Sequence, residues 1–309
     1  MTELSVVVPV YGCAACVEAL HARIRAALDP LQRDYEIVLV DDRSPDASWP
    51  ALVALADTDP RVKAVRLSRN FGQQAAITAG LSRARGRWVA VLDCDLQDPP
   101  ELIPELYRMA TEGGYDLVLA KRSSRRRSPI RRALTSAYVC LRNAIAGSTL
   151  DTDYATLSIL SRKVVDAFLA VRDQDRHYML ILDWLGFRRT AIEFAQQPRH
   201  AGKSAYTPAG LLRLAMAGFF FQTTNLLNLI VYAGFALAAA GAMLAGFFLY
   251  SYFTEHPLPG FTSVIVALLF VGGFLAIALG VTGLYVGKIF TQVKNRPLFV
   301  IDETRERSG

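Results

Sequence analysis

Two long stretches without a formal charge constrain this chain more than any other feature. Residues 214–254 and 257–287 contain no Asp, Glu, Lys or Arg, and Glu255 is the one charged residue between positions 214 and 287. A bilayer core of ~30 Å needs about 20 apolar residues at ~1.5 Å each. Each stretch can therefore hold one spanning helix, expected over 226–253 and 261–286. Between them, Glu255, Pro257, Pro259 and Gly260 mark a tight hairpin loop. A buried helical pair of a soluble protein is the competing reading, which two such runs in succession disfavour.

The charge-free runs also explain an overall composition of 52% hydrophobic and 20% charged residues. Such a balance excludes a disordered chain. The segment before them is charged like an ordinary soluble domain. Arg213 precedes the first run and Lys288, Lys294 and Arg296 follow the second, whereas the hairpin loop has no Lys or Arg. The positive-inside rule then places both termini in the cytoplasm. The N-terminus opens on a strand pattern at Glu3 with no leader, so the large domain is expected to stay there too. Cys13 and Cys16 form a C-x-x-C at a helix start, but neither a second pair for zinc nor the residues of a redox motif accompany them.

Residues 4–10, 35–41, 62–68 and 88–93 are short apolar runs rich in β-branched residues, separated by helical spacing over 14–28, 47–57, 72–84 and 100–112. This alternation predicts an α/β fold with an open, mostly parallel sheet. In such sheets ligands bind beyond the carboxyl ends of the strands. The residues there are Pro9-Val10-Tyr11, Asp41 to Asp46, Ser68 to Gly72, and Asp93-Cys94-Asp95-Leu96-Gln97-Asp98. Three carboxylates within six residues repel one another unless a cation lies among them, and hard oxygen ligands suit Mg²⁺ or Mn²⁺. The plainer reading is a solvated acidic turn with Asp98 as the N-cap of the next helix. No G-x-G-x-x-G follows the first strand, so a dinucleotide site is not expected.

Taken together, Pro9-Val10-Tyr11, Val40 to Asp46, Arg69-Asn70-Phe71-Gly72-Gln73-Gln74-Ala75-Ala76 and Leu92 to Pro100 resemble family 2 glycosyltransferases with the GT-A fold. The nearest resemblance is to the polyprenyl-phosphate sugar transferases, which act on undecaprenyl or dolichyl phosphate. It implies a GT-A domain over 1–206, with a basic, amphipathic interfacial segment at 121–147. A juxtamembrane interfacial helix at 207–225, a two-helix transmembrane hairpin at 226–287 and a cytoplasmic basic tail at 288–309 would follow. For the nucleotide sugar it implies Pro9, Tyr11, Val40, Asp41, Asp42, Asn70, Asp93, Cys94, Asp95, Arg199 and Lys203. For the metal, Mg²⁺ or Mn²⁺, it implies Asp93, Asp95 and Gln97. Arg122, Arg131 and Thr135 would hold the acceptor phosphate, and Asp95, Asp153 and Arg122 would be the catalytic group. The chain departs from the family where Gly12-Cys13 replaces Asn-Glu and where Ala205 ends the Arg199–Ala205 loop, leaving Lys203 as its lysine.

Lys121, Arg122, Arg125, Arg126, Arg127, Arg131 and Arg132 place seven cations within twelve residues. Nucleic-acid binding is one reading of such a cluster. Beside two membrane helices, contact with anionic headgroups is the better one. Downstream, Ile130, Leu134, Tyr138, Leu141 and Ile145 share a helical face, as in an interfacial helix. The expected activity is inverting, metal-dependent transfer of a hexose-type sugar from a nucleotide-sugar donor to a polyprenyl-phosphate lipid at the inner-membrane face, for cell-envelope glycan or lipid modification. Relatives tend to be homo-oligomers, and no nucleic-acid partner is expected. A phosphate monoester is mostly dianionic near neutral pH and can attack without losing a proton. A processive polysaccharide synthase of the same fold would carry a Gln-x-x-Arg-Trp motif and more membrane helices. A non-catalytic scaffold would not need Asp93, Asp95 and Gln97.

Overall fold

The structure is a computed structural model that describes residues 2–123, 154–195, 225–255 and 261–307. It divides into two compact units, one of residues 1–132, 150–205 and 296–309, the other of 133–149 and 206–295.

The first unit is built on one eight-stranded sheet of order β7-β5-β6-β4-β1-β2-β3-β8. Its strands are β1 Leu4–Val10, β2 Tyr35–Asp41, β3 Val62–Leu67, β4 Trp88–Val91, β5 Leu117–Arg122, β6 Tyr154–Ser161, β7 Arg189–Phe194 and β8 Ile301–Glu306. The helices are α1 Ala14–Leu28, α2 Ser48–Thr58, α3 Gln73–Arg83, α4 Ile103–Gly113, α5 Arg162–Ala170 and α6 Tyr178–Leu185. β1 and β2 are buried along their whole length, as β-branched strands covered by helices on both faces should be. On one face Cys16, Val17, Leu20, Ile24 and Leu28 of α1 pack into the core, following the helical period. On the other, α3 approaches so closely at Gly80 that a Cβ there would overlap Cγ1 of Val7 and press on Cγ2 of Val40 at 3.2 Å.

The four expected strands and the α/β alternation between them are present. β1, β2 and β3 pair in parallel, as do β4 with β1 and β5 with β7, whereas β6 runs antiparallel to both β4 and β5. The chain order reverses between β1 and β4, which makes the ends of these two strands the natural place for a ligand.

The segment expected to be a basic tail at 288–309 is divided differently. Its first residues continue a helix to Val293, and Ile301–Glu306 forms β8, antiparallel to β3. Asp302, Glu303 and Glu306 alternate with Arg305 and Arg307 here. Their ion pairs with Arg43, Lys63 and Asp57 are those of an edge strand, not of a free basic tail.

In the second unit the described elements are α7 Asn225–Glu255 and α8 Phe261–Val293. They meet where the ring of Phe274 lies 3.7 Å from the space a Cβ on Gly234 would occupy. Among the described residues one stretch of 24 residues, Phe270–Val293, is long and apolar enough to cross a membrane, with mean hydropathy 1.9 over an 18-residue window, none of which is buried. The described apolar stretch of α7, Ile230–Gly241, is shorter. Among the described residues the expectation of two spans is thus supported for one helix, and the second span is not shown.

Candidate functional site

The site is assembled where β1, β2, β3 and β4 end. Pro9 closes β1 inside the sheet, and Tyr11, two residues on, is 47% exposed. An aromatic ring left open beside a buried strand end suits stacking against a flat apolar face. Pro9 and Val40 are buried in the sheet, Val40 against α3, so they form a floor under the strand ends.

Both aspartates after β2 point inward. Asp41 is fully buried; its Oδ1 accepts from the Ser44 backbone N–H at 3.0 Å and its Oδ2 lies 3.4 Å from Nε of Arg66. Asp42 spends its two oxygens on the backbone N–H groups of Phe71 and Gly72, at 2.7 and 2.8 Å. Burial raises its pKa, against the lowering effect of those two donors. Gly72 has φ +94°, a conformation open to glycine. It lets the chain turn from the Asn70 loop into α3 while presenting its N–H to Asp42. Asp42 therefore fixes the two loops of the expected nucleotide pocket one to the other, while Asp41 tightens its own loop and meets β3.

A second set of bonds joins the loops after β1 and β2. The N–H groups of Gly12, Cys13 and Ala14 donate to Ser44 Oγ at 3.2 Å, Ser48 Oγ at 3.3 Å and Asp46 Oδ2 at 3.0 Å. α1 has no capping side chain and no acid in its own first turn. Asp46 supplies both functions from the neighbouring loop, satisfying a free helix N–H and complementing the helix dipole. Its Oδ1 accepts from the N–H and hydroxyl of Ser48, which tightens the same turn. Cys13 closes the gap to the loop after β4 by donating its thiol to the Cys94 carbonyl at 3.4 Å. That hydrogen bond and burial push the thiol up. Cys13 and Cys16 are buried and not joined in a disulfide, an arrangement suited to packing rather than to thiolate chemistry.

The loop after β4 carries the carboxylates. Asp93 Oδ1 accepts from Nε2 of Gln73 at 2.7 Å and Oδ2 from the hydroxyl of Thr156 at 3.0 Å. Leu96, buried, takes φ +61°, and a non-glycine residue held in that region at a loop full of acids is stored strain. The reversal places Gln97 so that its N–H donates to Asp95 Oδ1 at 3.1 Å. Asp98 is not the N-cap the sequence suggested. α4 begins five residues later behind a 3-10 turn at Pro100–Leu102, and the Asp98 carboxylate, 1% exposed, faces Arg122 from the end of β5 at 3.4 Å. Burial raises its pKa, with Arg122 opposing.

Burial, followed by the charges of Asp98 and Asp95, pushes the Asp93 carboxyl up to about 7, with the Thr156 hydroxyl and Arg122 acting against it. Three carboxylates and the Arg122 guanidinium thus share this end of the sheet. Among the described residues no three of His, Cys, Asp and Glu converge into a cage that would bind a metal unaided. Hard oxygen donors in this number fit a divalent cation shared with the phosphates of a ligand, the usual way Mg²⁺ is held.

Of the expected site residues, the strand ends bring Pro9, Tyr11, Val40, Asp41, Asp42, Asn70, Asp93, Cys94, Asp95, Gln97 and Arg122 to one edge of the sheet. Arg131, Thr135, Asp153, Arg199 and Lys203 lie outside the described residues. Gln73 and Thr156, which hold Asp93, and the Ser44–Asp46–Ser48 clasp were not singled out as site residues by the sequence. Gln73 was visible as a polar side chain opening an otherwise apolar helix; Thr156 had no signal, because β6 lacked a clear strand pattern.

A family model described as "Glycosyl transferase family 2" matches residues 5–170. The chain belongs to that family. Over 304 residues it is 34% identical to a Bacillus subtilis (strain 168) protein named "Uncharacterized glycosyltransferase YkcC", a match covering 98% of this chain and 94% of that one. It is 32% identical over 304 residues to the "SfII prophage-derived bactoprenol glucosyl transferase" of Shigella flexneri, covering 98% of each. Among solved structures it is similar to the mannosyltransferase PcManGT from Pyrobaculum calidifontis in complex with GDP-Man and Mn²⁺, at 21% identity and a TM-score of 0.45, covering 95% of this chain and 86% of that one. In this family 2 glycosyltransferase the mostly parallel sheet is the GT-A fold.

Proposed function

We propose that this glycosyltransferase moves a sugar from a nucleotide-sugar donor to the phosphate of a polyprenyl-phosphate lipid, with inversion, at the cytoplasmic face of the inner membrane. The observation that carries the donor half is the acidic loop of Asp93, Asp95 and Asp98 at the ends of β4 and β1, beside the exposed Tyr11 ring. The lipid half draws on the name of the Shigella flexneri relative and on the apolar helices.

Tyr11 and Asn70 would flank the nucleotide, with Pro9 and Val40 as floor and the Asp41–Asp42 bonds holding the walls. Asp93, Asp95 and Gln97 would hold Mg²⁺ or Mn²⁺. When bound, that cation supplies positive charge to the diphosphate as the sugar leaves it. Gln73 and Thr156 keep the Asp93 carboxylate oriented toward the loop. Arg122, with Arg131 and Thr135, would receive the acceptor phosphate, which needs no general base near neutral pH. Asp153 is the candidate should one act, and Arg199 and Lys203 would help to bind the nucleotide sugar.

A two-pass anchor agrees with the sheet itself. β3 precedes α7 and α8 in the chain and β8 follows them, yet the two strands pair. Partners in one sheet lie on the same side of a membrane, so an odd number of crossings between them is incompatible with this pairing. Phe270–Val293 as a lone span would be such an odd number, and α7 would make the second crossing. By the positive-inside rule, Lys288, Lys294 and Arg296 support a cytoplasmic location for that common side.

The test is transfer to undecaprenyl phosphate by the full-length protein in detergent, screened across UDP- and GDP-sugars with Mg²⁺, Mn²⁺ or a chelator. Transfer with one donor that stops under chelation is the expected result. Unchanged turnover in Asp95→Ala would remove the metal assignment, and transfer to water or a free sugar but not to the lipid would remove the acceptor.

A further inference from the structure

The loop after β2 is held from an unexpected direction. Arg43, between Asp42 and Ser44, has φ +56°, the left-handed region that a side chain this size enters at a cost. Its Nη1 donates to Oδ2 of Asp302 on β8 at 2.7 Å. The bond spans 259 positions of the chain and is the point where β8 reaches past its partner strand toward the strand ends. The pairing of β8 with β3 shifts register at Arg66 and Leu67, and the strand contact continues with the Ser68 N–H donating to the Val300 carbonyl at 2.9 Å. β8 thus runs beside the two residues that precede Asn70's loop and sets Asp302 opposite Arg43. Elsewhere on β8, the Arg305–Asp57 pair joins the strand to α2 and away from the loops.

We infer that Asp302 is a positioning residue for the donor pocket: through Arg43 it fixes the loop that carries Asp41 and Asp42. Asp42 in turn holds the Phe71 and Gly72 N–H groups, so one bond from the strand following the membrane helices constrains both loops of the pocket. The ligand concerned is the nucleotide part of the donor, since these loops lie on the β2–β3 side, away from the acceptor-facing Arg122. This rests on the donor-pocket reading above.

The experiment compares wild type, Asp302→Ala, Asp302→Glu and Arg305→Ala as full-length proteins in detergent. It reads donor KM and kcat, using the sugar nucleotide found by the screen and undecaprenyl phosphate, together with amide exchange over residues 41–48. For a half-exposed ion pair the expected change is a rise in donor KM of about two- to fivefold. It should come with faster exchange in 41–48, unaltered kcat and unaltered Tm in Asp302→Ala, and recovery in Asp302→Glu. Arg305→Ala, which breaks a different β8 pair, should leave KM and exchange at wild-type values. Wild-type KM and exchange in Asp302→Ala overturn the inference, and so does an equal effect of Arg305→Ala, which would reduce Asp302 to general support of the strand. If no sugar nucleotide supports transfer, the donor reading fails, while the exchange comparison still decides whether Asp302 orders the loop.

Discussion

Arg122 reaches the buried Asp98 carboxylate with Nη2, 3.4 Å from Oδ1 and 3.5 Å from Oδ2. One arginine is thereby asked both to balance a buried acid and, in the proposed reaction, to receive a lipid phosphate. Arg122→Ala should lower stability by about 1–3 kcal/mol, because Asp98 is left buried without its cation, and should also weaken use of the lipid acceptor. The double variant Arg122→Ala/Asp98→Asn separates the two roles. Thermal melts are expected to return toward wild type, whereas acceptor KM stays raised. Recovery of both would make the effect of Arg122 purely structural.

Asp93 is oriented by two neutral donors, and removing either should be felt in turnover before it is felt in folding. Thr156→Val keeps the shape of the side chain and deletes one hydrogen bond to a carboxylate, worth about 1.5–3 kcal/mol. A fall in kcat of about 10- to 100-fold is expected, with Tm close to wild type. Gln73→Leu should act in the same direction. Wild-type kcat in both would mean that the orientation of Asp93 does not matter to the reaction.

Acid sensitivity has an identifiable source at the opposite end of the strands. Burial raises the pKa of Asp59, but the bonds it accepts from the Arg61 side chain and N–H and from His21 outweigh burial and hold it well below the usual carboxylate range. A depressed folded-state pKa contributes stability that is present above the unfolded value of about 3.9 and is lost as pH falls toward the folded value. Wild type should therefore lose stability steeply below about pH 4. Asp59→Asn should be less stable at pH 7 and should show a shallower loss across the same acid range in urea titrations. Parallel pH profiles for the two proteins would show that the stabilisation does not come from Asp59.

Gly80→Ala is expected to destabilise in spite of alanine's better helix propensity. The new methyl meets Val7 and Val40, both fully buried β-branched residues that cannot rotate away. Forced overpacking costs about 1–3 kcal/mol, against roughly 1 kcal/mol gained in propensity. A rise in Tm would mean that α3 shifts freely on the sheet.

How far the sequence reaches depends on where each strand lies. β1, β2 and β4 were legible as mostly apolar, β-branched runs because both faces are buried, and β3 was legible in spite of the half-buried Lys63 and Arg66 that interrupt it. β5 to β8 were not. Arg189–Phe194 alternates exposed and half-buried positions at one edge of the sheet, and Ile301–Glu306 forms the other edge with four charged residues in six. Charge on an edge strand guards against unwanted pairing, and the same charge makes it look like a tail. The site divides in the same way. Asp93 and Asp95 stood out as acids after an apolar run, and Asp41 and Asp42 did too, although their inward direction could not be read from the sequence. Thr156 and Asp302 depend on partners 63 and 259 positions away, and only the folded sheet brings such pairs together.

The order in which a ribosome releases the chain gives the β3–β8 pairing a meaning in time. β1 to β7 emerge first and can assemble with the outer edge of β3 still open. β8 emerges only after α7 and α8. Until then the nascent domain exposes an unpaired edge, the kind of surface that invites pairing with other chains. Both helices therefore leave the ribosome before the sheet can finish. The ion pair of Arg43 with Asp302 then marks a sheet whose last strand is in place.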